Sequence, residues 1–502
     1  MLPLTVVTAY SRGPLFEEAM LTLTQSGLVD SIVIVSQEQV HLSIPGCRVI
    51  VAGSLQSQEA LEPVLSDIRT KYLLILPGPG QIAIGMRDLE KMLAKAESIG
   101  AGLTYSDYYE KRGRSVTLHP LNDYRQGSVR DDFDFGAVML FSIDAVCKAL
   151  KKYGNIPRVK SAGLYDLRLK VSIEYPVHHL REPLYSVTGK DEQSGGEKVF
   201  NYVDPRNIDV QKETETVFTD YLKNIGAYLS PEGLRESEQI TKSFPVEASV
   251  VIPVLNRKNT IAEAVKSALS QDTDFPFNII VVDNHSTDGT TVVLSDLASQ
   301  YPALKHIVPE RVDLGIGGCW NEALCSEACG RYAIQLDSDD LYAGPYTLQK
   351  IADMLRQGNY AMVVGSYTIV NFNLEEVTPG LIDHREWSDE NGHNNALRIN
   401  GLGAPRAFNA DIMRKIGFLN VSYGEDYAAA LRICREYRIG RIYENLYLCR
   451  RWPGNTDAAL SIAEANRNDA FKDKIRTDEI IARQMMNRSG GEGRAPGVRG
   501  FK

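Results

Sequence analysis

Three stretches of this 502-residue chain occur twice, in the same order and at nearly constant spacing. Lys71-Tyr-Leu-Leu-Ile-Leu-Pro77 matches Arg331-Tyr-Ala-Ile-Gln-Leu-Asp337 at an offset of 260 residues. Gly136-Ala-Val-Met-Leu-Phe-Ser-Ile-Asp144 matches Gly403-Ala-Pro-Arg-Ala-Phe-Asn-Ala-Asp411 at 267, and Glu182-Pro-Leu-Tyr185 matches Glu444-Asn-Leu-Tyr447 at 262. A repeat constrains the fold more than local propensity does, because both copies must bury the same faces. Two copies of one domain are therefore expected, over residues 1–189 and 245–460. A polar stretch, 190–244, joins them and holds one helix near Glu213 to Tyr228. Residues 461–488 read as a polar helical extension, and 489–502, rich in Gly and Arg, as a disordered tail.

The second copy shows its class most clearly. Ser249-Val-Val-Ile-Pro253, Asn278 to Val282 and Tyr332 to Leu336 are short apolar runs, as strands buried on both faces are. Between and after them, Thr260 to Leu269, Asp288 to Leu297 and Tyr346 to Leu355 have helical spacing. This alternation predicts an α/β architecture built on a parallel, doubly wound, Rossmann-like sheet. Ligands of such sheets bind at the carboxyl ends of the strands.

The residues at those ends carry the chemistry. Asp337-Ser-Asp-Asp340 follows a buried strand directly. Carboxylates crowded at one strand end repel each other and are costly to desolvate. Mg²⁺ or Mn²⁺ offsets that cost and prefers carboxylates plus substrate phosphates, so Asp337, Asp339 and Asp340 are the candidate metal ligands. The competing reading is a solvated turn that caps the next helix. Asp283 ends a second strand, where a carboxylate can accept from a nucleobase N–H or a ribose hydroxyl, while Asp288 reads as a helix cap. Pro253-Val-Leu-Asn-Arg257 offers backbone amides and Asn256. Val312-Asp-Leu-Gly-Ile-Gly-Gly-Cys-Trp-Asn321 is a Gly-rich lead into a helix, whose glycines would let a ligand approach the backbone.

These motifs resemble the large inverting glycosyltransferase family often called family 2, with the GT-A fold. PVLNR at Pro253, VVDNHSTDGT at Val281, DLGIGGCWN at Asp313, LDSDD at Leu336 and Gly424-Glu-Asp426 occur in the family's order over about 200 residues. The resemblance implies transfer of a sugar from a UDP- or GDP-linked donor to a hydroxyl of a glycan or glycoconjugate, with inversion and with Mn²⁺ or Mg²⁺. It implies donor binding by Pro253, Asn256, Arg257, Asp283, Gly315, Asn321 and Asp337, and a metal–diphosphate role for Asp337, Asp339 and Asp340. An acidic residue at Gly424-Glu-Asp426 would be the catalytic base: Asp426 matches best and Glu425 competes. Two departures stand out. Where the family often has a late metal-binding His, this chain has Trp452, and Arg450 or Arg451 is the candidate to neutralise the diphosphate instead. Gly401-Leu-Gly-Ala-Pro-Arg406 places Arg406 near the acceptor or the diphosphate, or in a structural ion pair.

The first copy lacks the acidic motif, because Pro77-Gly-Pro-Gly80 stands in its place. It reads as a degenerate copy used for structure, dimerisation or acceptor binding. Its acidic–aromatic runs, Tyr105 to Glu110 and Val129 to Asp134, suit either a glycan surface or an interdomain contact. The net charge of −9 argues against nucleic acid as a partner, and no apolar run reaches the length of a membrane span. The opening MLPLTVVTAYSRG reads as strand and turn, without a signal-like pattern. Seven cysteines without a metal-type pairing read as buried free thiols, Cys319, Cys325 and Cys329 among them. A cytoplasmic location fits, free or at the inner face of a membrane, and a homo-oligomer is open. A nucleotidyltransferase-like enzyme, which would show a Gly-rich basic loop after the first strand, and a non-catalytic glycan- or partner-binding protein are the rival readings.

Overall fold

The computed structural model describes residues 2–40, 44–77, 81–188, 204–238, 243–452, 454–455 and 460–489. The chain divides into two units: residues 1–195, 209–228 and 460–484 form the first, and 196–208, 229–459 and 485–502 the second.

The apolar runs become strands because nothing in them competes with a buried ladder. Unit 1 contains β1 (Leu4–Ala9), β2 (Val29–Ser36), β3 (Cys47–Val51), β4 (Tyr72–Leu76), β5 (Gln81–Ile84), β6 (Leu103–Arg112), β7 (Ser115–His119), β8 (Met139–Ser142) and β9 (Val177–Thr188). Unit 2 contains β10 (Ala248–Val254), β11 (Phe277–Asp283), β12 (Leu304–Ile307), β13 (Tyr332–Gln335), β14 (Leu341–Tyr342), β15 (Met362–Val370), β16 (Glu376–Ile382), β17 (Arg406–Asn409) and β18 (Ile439–Arg450). The strand orders are β3-β2-β1-β4-β8-β6-β9-β5 and β12-β11-β10-β13-β17-β15-β18-β14, with β7 beside β6 and β16 beside β15. Position by position these are the same order. The three repeated stretches fall on β4 and β13, β8 and β17, and β9 and β18, so the repeat read in the sequence is a repeat of topology.

Neither sheet is wholly parallel. In unit 2, β12, β11, β10 and β13 run parallel, but β17 runs antiparallel between β13 and β15. Both faces are covered, and side chains alternate between them. In unit 1, Val6 and Leu74 join one apolar cluster while Val7 and Leu73 join the other. All nine residues of β15 are buried.

The C-terminal helix Ile462–Arg488 packs into unit 1 rather than standing as a separate extension. Ser128 Oγ donates to the buried Asp473 at 2.8 Å, and the Gly127 amide donates to Thr477 Oγ1 at 2.9 Å. A Cβ at Gly127 would lie 2.0 Å from the Asp473 carbonyl, so only glycine admits the helix this closely. The helix foreseen between the copies spans Ile208–Asn224 and also belongs to unit 1.

The two acidic–aromatic runs are partly packed into unit 1, with Tyr109, Asp132 and Asp134 exposed. Tyr105 and Phe133 are core residues, Asp107 accepts from His179 and the Leu121 amide, and Arg130 is buried among Asp132, Asp469 and Asp473. Their buried members, Tyr105, Asp107, Arg130 and Phe133, serve as braces. Residues 78–80 of the Pro-Gly-Pro-Gly turn, much of the 190–244 stretch and the tail from 490 lie outside the described residues. All seven cysteines are free, but only Cys319, Cys329 and Cys434 are buried; Cys47 and Cys449 are half-buried, and Cys147 and Cys325 are exposed. No helix among the described residues is long and apolar enough to cross a membrane.

Candidate functional site

Because β11, β10 and β13 are adjacent and parallel, their carboxyl ends share one edge of the sheet. Three loops meet there. The first two are stitched together: the Asn256 amide donates to Ser286 Oγ at 2.9 Å, the Thr287 amide to Asn256 Oδ1 at 2.8 Å, and the Lys258 amide to Asp288 Oδ2 at 3.0 Å. Asp288 also accepts from the Thr290 amide at 2.9 Å, but the N-cap position of the helix Thr290–Gln300 is Gly289 and not Asp288. Pro253 lies half-buried within β10, next to the exposed Leu255. Asp283 is fully buried. Its carboxylate accepts from the Ser286 amide at 3.0 Å and from Thr291 Oγ1 at 2.5 Å, with His306 Nε2 at 3.5 Å. In this arrangement Asp283 organises the loop beneath the edge.

The third loop carries the aspartates. Asp337 sits at the end of β13, where its carboxylate accepts from Gln335 Nε2 at 3.0 and 3.1 Å and its amide donates to Tyr447 Oη at 2.9 Å. Burial holds this carboxyl above the usual range; Gln335 and Arg406 pull it down, and the charge on Asp339 pushes it up again. Asp339 Oδ2 accepts from the Trp452 indole at 3.0 Å and from Asn455 Nδ2 at 3.4 Å, with Arg257 Nε at 3.8 Å. Asp340 is buried and accepts the Arg450 amide at 2.7 Å. Burial and then its two aspartate neighbours drive its carboxyl well above the usual range.

Among the described residues no cluster of three or more His, Cys, Asp or Glu side chains is arranged to hold a metal. Mg²⁺ and Mn²⁺ need fewer, since they take one or two carboxylates together with substrate phosphates. Asp337 and Asp339 suit that role, because their mutual repulsion is the stress a cation relieves. Asp340 is placed less well for it, being buried with its Oδ1 accepting the Arg450 amide. Trp452 is a donor only and cannot replace a ligating His.

Arg450 is buried; it reaches the Asp339 carbonyl and Glu263 and lies 4.9 Å over the Phe372 ring. It therefore ties the end of β18 to the aspartate loop and to the helix Ile261–Leu269, and the half-buried Arg451 and Arg257 are nearer solvent. Arg257 also donates to the Gly454 carbonyl at 3.2 Å and stacks 5.9 Å from Trp452.

On the other side of Asp337, Arg406 opens β17. Its amide donates to Gln335 Oε1 at 3.1 Å, and its guanidinium donates to the Gly403 carbonyl at 3.0 Å and pairs with Asp426 Oδ2 at 2.8 Å. Asp426 and Glu425 start the helix Glu425–Glu436 behind Gly424, whose φ of 78° suits glycine. Successive helical positions face different ways. Asp426 faces Arg406, whereas Glu425 is buried against the Gly-rich helix Ile316–Cys325, and its Oε2 has no hydrogen-bond partner among the described residues. Burial first, and then the charge of Asp426, pushes the Glu425 carboxyl up to about 8.

The glycines at the start of that Gly-rich helix, Gly315 as its N-cap and Gly317 and Gly318 within its first turn, face protein rather than an open edge. A Cβ at Gly315 would lie 2.5 Å from the Val421 backbone, one at Gly317 1.9 Å from the Leu419 carbonyl, and one at Gly318 2.3 Å from Asn420 Oδ1. Asn321 commits both ends of its amide to the Phe418 backbone, each at 2.9 Å. These residues hold the 418–421 loop, which leads to Glu425. Gln335, Tyr447 and Asn455 were not singled out from the sequence; the one legible signal was a glutamine inside an otherwise apolar strand.

Residues 249–414 match the family model described as glycosyl transferase family 2. The matched segment lies within the second copy of the repeat. The chain is similar to a putative glycosyltransferase, EpsE, of Bacillus subtilis, with 30% identity over 124 residues, 25% of this chain and 44% of EpsE. It is also 32% identical over 122 residues to the GalNAc(5)-diNAcBac-PP-undecaprenol beta-1,3-glucosyltransferase of Campylobacter jejuni, covering 24% of this chain and 38% of that enzyme. The chain thus spans less than half the length of these relatives. Among solved structures, S. aureus TarS 1–349 in complex with UDP-GlcNAc matches 49% of this chain and 74% of its own, at 22% identity and a TM-score of 0.35. The matched segment holds the ends of β10, β11 and β13 and the start of β17, whereas Glu425, Asp426, β18 and its Trp452–Asn455 continuation follow it.

Proposed function

We propose that the second unit transfers a sugar from a nucleoside-diphosphate donor to a hydroxyl of a glycan or glycoconjugate, with inversion. One observation carries the reading: Gln335 and Arg406 link the aspartate loop to Asp426 in a single hydrogen-bonded web. A group that handles a diphosphate and a group that handles an acceptor hydroxyl are thereby held in one site.

The Asn256, Arg257 and Ser286 loops would receive the nucleotide. A divalent cation held by Asp337 and Asp339 would neutralise charge on the diphosphate. Asp426 would accept the acceptor's proton as its oxygen bonds to the anomeric carbon and the bond to the diphosphate breaks. Arg406, mostly buried and paired with Asp426, fixes that carboxylate and adds positive charge between the two halves. Attack opposite the leaving diphosphate inverts the anomeric centre.

The test is release of UDP or GDP from a panel of sugar nucleotides by the full chain with Mn²⁺ or Mg²⁺. Turnover is expected, with loss in Asp339→Ala and unchanged melting. The absence of release from every donor refutes transferase activity, and undiminished release in excess chelator refutes the metal role alone.

A further inference from the structure

Unit 1 has no acidic strand end, but it has a cleft of about 620 Å³ that no motif foretold. Its walls come from the 124–126 loop, the end of the helix Gly163–Ser172 with the chain that follows, the segment Tyr221 to Ile225, and Gln484 on the C-terminal helix. Two of those walls, the helices Ile208–Asn224 and Ile462–Arg488, are additions to the repeated strand order.

The lining is mixed. Tyr175 contributes a half-buried ring, with Tyr124 and the buried Tyr221 beneath it, while Arg125, Gln126 and Gln484 contribute donors and acceptors at the edges. Side chains with polar ends outnumber aliphatic ones, and Arg125 is the one formal charge among the lining residues. That mixture suits a molecule with C–H faces and hydroxyl edges, which is the surface of a pyranose. It suits a nucleotide poorly, because no phosphate cradle is present in the lining. The volume lies within the range of ligand sites, about 300–1,000 Å³.

The walls are ordered before any ligand arrives. Tyr124 packs on Phe133 and Phe135, with ring centroids 5.5 and 5.9 Å apart. The loop after it is fixed to the C-terminal helix through Ser128–Asp473, Gly127–Thr477 and the buried Arg130. Gln484 Nε2 donates to the Ile225 carbonyl at 2.7 Å, and Glu213 accepts the Lys160 and Ser161 amides at 2.9 and 2.8 Å. Rigid walls spare a ligand the entropy of ordering them.

We propose that this cleft binds a glycan of neutral sugars, holding a ring against Tyr175 and hydroxyls against Gln126, Gln484 and Arg125. The choice of a glycan rests in part on the transferase reading of unit 2, but the test reads binding and not turnover. The full chain is applied to a printed array of neutral and anionic oligosaccharides, and the best neutral glycan is then titrated calorimetrically. Tyr175→Ala is expected to weaken binding by about tenfold or more. The double variant Arg125→Ala/Gln126→Ala, at exposed positions, is expected to weaken it as well with unchanged melting. Asp339→Ala should bind the glycan as the parent does, so loss of transfer alone leaves the cleft reading standing. Retention of no glycan, retention of anionic glycans only, or equal affinity in the parent and both cleft variants overturns the proposal.

Discussion

Trp452 donates its indole N–H to Asp339 Oδ2 at 3.0 Å. The same oxygen lies 3.4 Å from Asn455 Nδ2 and 3.8 Å from Arg257 Nε. Donors therefore surround one side of a carboxylate proposed to hold a cation. An imidazole at 452 could offer a lone pair where the indole offers a proton. Trp452→His is expected to raise Mn²⁺ affinity in the presence of UDP or GDP by about tenfold, on the scale that ligand-shell changes produce. Mn²⁺ titration followed by electron paramagnetic resonance measures it. Unchanged or weaker affinity would place the cation away from Asp339.

Asp426 and Glu425 divide two roles between neighbouring positions. Asp426 meets Arg406 at 2.8 Å, and Glu425 is buried against the Gly-rich helix. Asp426→Asn should lower kcat by about 10²–10⁴-fold, the usual worth of a general base. Donor affinity should barely move, since the nucleotide loops are held by bonds that do not involve Asp426. Single-turnover kinetics with donor titration separates the two quantities, and proton NMR of the product reads the anomeric configuration. An active Asp426→Asn beside a dead Glu425→Gln would reverse the assignment, and retained configuration would remove the single-displacement step.

What the sequence made legible was local. The paired runs on β4 and β13 announce themselves because a buried strand is a continuous apolar string, and Asp337-Ser-Asp-Asp340 is conspicuous directly after one. The commitments of individual side chains were not legible, because they depend on partners far along the chain. Asp283 is claimed by Thr291 and His306, Asp340 by the amide of Arg450, and Gly317 by a carbonyl at Leu419. The C-terminal helix reads as an exposed polar segment because its buried Asp473, Arg476 and Arg483 are charged. Their partners include Ser128 and Arg130, more than 300 residues earlier.

Glu425 gives a pH test. Its carboxyl is raised to about 8, from an ordinary 4.5, chiefly by burial and then by Asp426. Between those values the folded chain keeps a proton that the unfolded chain has lost. Stability therefore falls as pH rises through this window, because the unfolded state binds fewer protons. Glutamine has the same shape and never ionises. Glu425→Gln should thus gain stability over the parent as pH goes from 5 to 8, by on the order of 1 kcal/mol or more, since each tenfold change in proton affinity is worth about 1.4 kcal/mol. Denaturant melts at the two pH values measure it. A gain that is equal at both would mean that Glu425 ionises normally in the fold.

Gly317 separates a packing role from a ligand role. A Gly-rich lead into a helix suggests a backbone that a donor approaches, yet the open side of Gly317 is filled by the Leu419 carbonyl, 1.9 Å from where a Cβ would stand. The Gly317 amide also donates to the Val421 carbonyl at 3.0 Å, so the loop is clamped on that face. A backbone carbonyl cannot swing aside as a flexible side chain can. Gly317→Ala should therefore push the 418–421 loop away at a cost of about 1–3 kcal/mol, the usual penalty of overpacking, and lower the melting temperature by several degrees. Affinity of the folded protein for UDP or GDP should stay near the parent value, because the loops at Asn256 and Ser286, proposed to receive the nucleotide, do not touch this contact. Calorimetric titration well below the melting point, paired with a thermal scan, distinguishes the alternatives. Lost affinity with unchanged melting would mean that the glycine serves the ligand after all.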